Sequence, residues 1–142
     1  MQVEGIIARG QLVKLVFAQD NVAASQTDAQ LNIQEVAAAA ALAITGYTMP
    51  FKGCIVAIAY DLSAAGTAGV FTVGPTVGGT EKTTLTQTVG TTTQGRGVVA
   101  RDSIPFAAGD IIGAEITTDG SWDGTSSDLA VTVWVLLDIE GI

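Results

Sequence analysis

The stretch Leu129–Leu137 reads Leu-Ala-Val-Thr-Val-Trp-Val-Leu-Leu, and it constrains the fold more than any other part of the chain. As a strand it directs Val131, Val133, Val135 and Leu137 to one side and Ala130, Thr132, Trp134 and Leu136 to the other. An antiparallel strand with one wet face alternates apolar with polar residues. Neither side of this strand is wet in that sense. One side is therefore expected in a core and the other beneath a cover. In a chain of 142 residues the expected cover is another subunit, which makes Thr132, Trp134 and Leu136 candidate oligomer contacts.

That length suits one domain with a real core. Apolar residues make up 48% of the chain, yet the longest apolar run, Val36–Ile44, is far short of the roughly 20 residues of a membrane helix. The surplus apolar surface is therefore assigned to subunit contacts, with no membrane partner expected. Charged residues are scarce, and fourteen carboxylates face six bases, a balance that repels phosphate backbones and argues against nucleic acid. A single cysteine, Cys54, excludes an internal disulfide. Glu4 and Arg9 interrupt the opening residues and no apolar segment follows a basic start, so no secretion signal is expected and synthesis in a cytoplasm is the default.

Strand-like runs separated by Gly, Thr, Ser and Asp turns recur along the chain, about eight of them, with little helix. They predict an all-β fold, a jelly-roll-like antiparallel β-sandwich. Residues 1–20 are read as an N-terminal arm or first strand, and residues 21–142 as a single sandwich domain. Within it, Cys54, Val56, Ile58, Tyr60 and Leu62 are expected on one face of a strong strand and Ile55, Ala57, Ala59 and Asp61 on the other. Gly78-Gly79 signals a hairpin, Thr83–Val89 its return strand, and Thr91–Gly97 a loop. The alanine run 36–44 admits a short helix, an extended segment or a close subunit contact.

The chain has no histidine, which removes the commonest general base and metal ligand and every Ser-His or Cys-His nucleophile. No phosphate-cradling motif appears. No catalytic residue, cofactor site or metal site is assigned. Cys54, opening an apolar strand, reads as a packing residue. Asp110 and Glu115 read as a turn former and a half-exposed strand residue rather than a catalytic pair. The loop Asp119–Asp128 holds three carboxylates that could wrap calcium, but without EF-hand spacing; its plain reading is a hairpin whose Asp and Ser side chains bond their own backbone. Trp122 at its tip is either a lid folded onto the core or a contact anchor. Arg96 and Arg101 are surface cations, or partners for carboxylates on a neighbour.

Two stretches carry a resemblance. Met49-Pro50-Phe51-Lys52-Gly53-Cys54-Ile55-Val56, followed by Leu62-Ser63-Ala64-Ala65-Gly66-Thr67-Ala68-Gly69, resembles a strand and turn of phage structural proteins. Pro105-Phe106-Ala107-Ala108-Gly109-Asp110-Ile111 is similar to a step of trimeric jelly-roll knobs. Together, over about residues 47–137, they resemble the capsid decoration (cement) proteins and head fibres of tailed bacteriophages. The resemblance implies a homotrimer on the capsid exterior, made in the host cytoplasm, that binds the major capsid protein and bridges coat subunits. The candidate capsid contacts are Ile6, Ile7 and Arg9 of the N-terminal segment, together with Trp122. The alternative is a trimeric receptor- or carbohydrate-binding knob of a phage fibre, which would use Trp122, Asp119 and Asp123.

Overall fold

The computed structural model describes residues 10–33 and 44–139. They form an all-β sandwich of two antiparallel sheets. The first sheet holds β1 (Gln11–Gln19), β4 (Gly53–Leu62), β8 (Gln94–Val98), β9 (Ile104–Phe106) and β11 (Leu129–Leu137). Its order is β1-β11-β4-β8, with β9 pairing β4 beyond the end of β8. The second sheet holds β2 (Ala29–Gln30), β3 (Tyr47–Thr48), β5 (Phe71–Val77), β6 (Thr80–Glu81), β7 (Gln87–Thr88) and β10 (Ile111–Thr118). Here β10 and β5 form the long central pair, and the two-residue strands flank them.

The core lies between the sheets. From the first come Leu15 and Phe17 of β1, Ile55, Ile58, Tyr60 and Leu62 of β4, and Val131, Val133 and Val135 of β11. From the second come Phe71 and Val73 of β5 and Ile112, Ala114 and Ile116 of β10. Alternate residues of each strand supply this face because successive side chains point to opposite sides of a sheet. The last strand is flanked on both sides, by β1 and by β4, so both of its faces are sheet faces rather than edges.

Local chemistry corrects several sequence expectations. The pairing of β4 with β11 shifts after Trp134: Trp134 lies opposite Ala57 while Val135 lies opposite Ile55, so Val56 has no partner. This β-bulge resets the alternation. Cys54 therefore shares the outer face with Ala57, Ala59 and Asp61, while Ile55 turns to the core. Gly78 and Gly79 take φ of 60° and 80° and close the β5–β6 hairpin, a conformation that suits glycine. The return through 83–89 is not one strand: a 3-10 turn at Thr83–Leu85 buries Leu85, and only β7 at Gln87–Thr88 pairs with β5. The segment expected as a loop at 91–97 contains most of β8, which pairs with β4 from Asp61 to Ala57. Most of the alanine run lies outside the described residues, as do residues 1–9. On the described side of the run, the Ile33 N–H donates to the Ile44 carbonyl at 2.9 Å.

Candidate interaction surface

The register of the first sheet fixes which side chains share its outer face, because directly paired residues point the same way. Four rows cross the sheet from β1 to β8 or β9. Leu12, Leu136, Cys54 and Pro105 form the first. Lys14, Trp134, Ala57 and Val98 form the second. Val16, Thr132, Ala59 and Arg96 form the third, and Ala18, Ala130, Asp61 and Gln94 the fourth. Three of these sixteen side chains are charged. Leu12 is 56% exposed, Val16 40% and Val98 69%. Trp134, Thr132 and Leu136 are half-buried by their neighbours within the sheet. The three sequence-derived contact residues thus stand side by side on one apolar surface open to solvent.

Four of the chain's six cations gather here. Lys14 and Arg96 lie on the face, and Lys52 and Arg101 stand at its first-row end. There they line a cleft with Asp102 and Asp138, over Cys54, Pro105 and Leu136. Lys52 Nζ is 3.9 Å from Asp138 Oδ2, and Arg101 Nε is 4.0 Å from Asp102 Oδ2. The Lys52 and Arg101 side chains remain 61% and 48% exposed. Cys54 is buried as expected, but under Leu136 and Pro105 on the outer side rather than in the core between the sheets.

The opposite end of the face is acidic. Asp61 is exposed. Near it Asp128 accepts the Asn21 N–H at 3.1 Å; that bond, with a side-chain hydrogen bond to Asp20, holds its carboxyl below the usual range. The neighbouring loops use their carboxylates on backbone donors. Asp119 Oδ1 accepts the N–H of Val70 at 3.0 Å and of Ser121 at 3.1 Å. Asp123 accepts the Thr67 hydroxyl and the N–H groups of Thr67 and Ala68, which lower its pKa, the hydroxyl most. Asp119, Asp123 and Asp128 thus serve three separate backbone segments, and among the described residues no three acidic or thiol groups are placed to hold a metal ion.

Trp122 folds inward. It is 3% exposed, donates its indole N–H to the Val22 carbonyl at 3.1 Å, and meets Phe71 edge to face at 4.8 Å. Gly66 and Gly124 make room for it: a Cβ at either would fall 2.4 Å or less from the indole ring. Of the candidate capsid contacts, Trp122 is therefore spent on the chain's own core, while Ile6, Ile7 and Arg9 lie outside the described residues.

The outer face of the second sheet is different in kind. Glu115 lies between Gln30 and Gly74 there and is 4% exposed, not half-exposed as its strand position suggests. Gly74 brings no side chain to hold it off, and the Glu81 carboxylate occupies the space over that glycine. Burial pushes the Glu115 pKa up, the Glu81 and Asp28 charges push it further, and a 2.7 Å hydrogen bond from the Gln30 amide opposes them. Thr76 donates to Gln30 at 3.3 Å and Thr86 to Glu81 at 2.7 Å, so this face is tied together by its own polar groups. Asp110, by contrast, closes its own turn by accepting the Ala107 N–H at 2.8 Å. It shares no site with Glu115.

No known protein-family model matches the chain, and no curated protein matches it. Among solved structures its fold is similar to that of a chain in the cyanophage Pam1 capsid asymmetric unit. The TM-score is 0.52 at 11% identity, over 91% of this chain and 86% of that one. The likeness extends to the fold. Among the described residues no helix is long and apolar enough to cross a membrane.

Proposed function

We propose that this chain is a structural protein of a phage virion, which binds the outer surface of the capsid and bridges coat subunits. The observation that carries the reading is the open apolar face of the first sheet, with Trp134, Thr132 and Leu136 at its middle. Monomeric soluble proteins rarely leave a contiguous apolar patch of this kind uncovered. Its chemistry is adhesion: apolar burial at the centre, with charged groups at the rim setting orientation. The fold it shares with a chain of the Pam1 capsid asymmetric unit supports the same reading. So does the use of every carboxylate of the 119–128 loop as a backbone cap. On this reading one part of the chain associates with further copies of itself. The homotrimer implied by the sequence resemblance is one closed form of such association. The first nine residues, with Ile6, Ile7 and Arg9, then serve as the grip on the coat, and many modest contacts add through multivalency.

The test is co-sedimentation of the purified protein with empty shells and with expanded shells lacking it. Binding at saturating, symmetry-defined copy number, lost on removal of residues 1–9, is the expected result. Failure to sediment with any shell, together with binding on a glycan array, would move the chain to the fibre-knob alternative. That alternative has lost its aromatic platform, since Trp122 is buried.

A further inference from the structure

We propose that the open edge of β1 is a strand-addition site, where an extended segment of the coat protein lengthens the first sheet by pairing with residues 12–16. The inference rests on the capsid-binding reading above. It adds the element that binds and the chemistry of the segment it takes.

Among the described residues, β1 is an edge unlike the others. The flanking strands of the second sheet have two residues each, and the far edge of the first sheet is made by β8 and β9, with five and three. β1 has nine, pairs with β11 without a register shift, and contains no proline, glycine or acidic residue. Short strands, bulges and prolines are the ordinary protection of a sheet edge. A long apolar edge without them is a template for another strand.

The direction of its backbone groups is set at one end. The Ala18 N–H donates to the Asn32 carbonyl at 2.9 Å, on the side away from β11. Every second residue of an antiparallel strand bonds to the same side, so the groups of Leu12, Lys14 and Val16 also point away from β11. The Val16 carbonyl accepts the Tyr47 hydroxyl at 3.1 Å. The N–H groups of Leu12, Lys14 and Val16 and the carbonyls of Leu12 and Lys14 have no partner among the described residues. Donors and acceptors in this spacing are the half-ladder that another extended backbone completes.

The side chains define the segment. Leu12 and Val16 are 56% and 40% exposed, and Lys14 is exposed between them on the same face. Among the described residues no carboxylate lies within ion-pair distance of Lys14. Residues directly opposite in a sheet share a face, so the fitting segment carries apolar, acidic and apolar side chains at alternate positions. A second β1 does not supply them. It has no acid, and antiparallel pairing centred on Lys14 would set lysine against lysine. The coat is the neighbour this edge meets, because residues 1–9, assigned above as the grip on the coat, run directly into β1.

The test is hydrogen exchange of the full chain, free and bound to empty shells, with Lys14→Pro and Lys14→Ala compared in shell binding. The Lys14 N–H faces away from β11, so proline there removes no internal ladder bond, and edge strands tolerate it. Both variants are expected to melt as wild type does. On shells the amides of Leu12, Lys14 and Val16 are expected to exchange at least about 100-fold more slowly than in the free chain. Lys14→Ala, which loses only an exposed ion pair, is expected to weaken shell binding about threefold. Lys14→Pro, which also loses the backbone donor, is expected to weaken it about tenfold or more. Exchange unchanged on shells, or Lys14→Pro binding as tightly as Lys14→Ala, would overturn the inference while leaving the capsid reading in place. A melting point several degrees lower in Lys14→Pro alone would show the edge already filled by the chain's own residues, and would overturn it too. Wild type that does not sediment with shells would remove the capsid reading and this inference together.

Discussion

The two sheets of this sandwich contribute comparable inner faces and opposite outer ones. Outside the second sheet, Thr76, Gln30 and Glu115 are joined by hydrogen bonds, Thr86 bonds Glu81 beside them, and Glu115 is closed to solvent. Outside the first, Leu12, Val16, Trp134, Leu136 and Val98 stand with alanines between them and no cover from the described residues. The comparison separates two ways of finishing a sheet. A polar face is completed by hydrogen bonds within the chain, whereas an apolar face is completed only by another surface. The first kind contributes to the stability of one copy. The second contributes to association.

That contrast can be broken from either side. The largest effect is expected at Gln30→Ala, which takes the amide donor from a buried carboxylate. An unpartnered buried charge costs about 3 kcal/mol, and thermal denaturation at neutral pH measures it. A loss below about 0.5 kcal/mol would mean that the network is not closed. A smaller effect of opposite sign is expected at Glu115→Gln, about 1 kcal/mol of added stability at pH 7. The sign follows from the raised pKa of Glu115 in the fold. Ionisation is disfavoured there relative to the unfolded chain, so wild type gains stability as pH falls through the folded value toward the ordinary 4.5. The advantage of the variant should therefore grow as pH rises through the folded value and vanish below pH 4.5, where both groups are neutral. The smallest effect on the fold is expected for the triple change Leu12→Thr, Val16→Thr and Val98→Thr. Each should move stability by less than about 0.5 kcal/mol, since exposed positions tolerate substitution. Association should nevertheless weaken and the solubility limit rise. Loss of folding in the triple variant would show that this face belongs to the core.

Much of this was legible in the chain, because binary pattern is a local property. The two apolar sides of Leu129–Leu137, the hairpin at Gly78-Gly79 and the sandwich class all follow from side-chain period and turn chemistry. Thr132, Trp134 and Leu136 could be grouped because they lie two apart on one strand. Their neighbours Leu12, Val16, Ala57 and Val98 could not, because cross-strand register is a tertiary fact. The bulge at Val56 has no local signature, and it is what moves Cys54 to the outer face and Ile55 to the core. Glu115 reads as half-exposed on any strand; only Gly74 opposite it and Gln30 beside it explain its burial. The inward fold of Trp122 had one signal that sequence reasoning passed over. Gly66, in the turn after β4, and Gly124, in the 119–128 loop, are the residues that leave space for an indole.

The central claim, that the outer face of the first sheet is finished by another surface, is tested most directly by the environment of Trp134. The chain has two tryptophans, and Trp122→Phe keeps an aromatic ring against Phe71 while leaving Trp134 as the sole indole emitter. Its fluorescence is followed on dilution from millimolar to nanomolar protein. The expected result is blue-shifted emission, quenched poorly by iodide, at high concentration, moving to solvent-like red emission as copies separate. Solvent-like emission unchanged across the whole range, from a chain that stays folded and monomeric, would contradict the account.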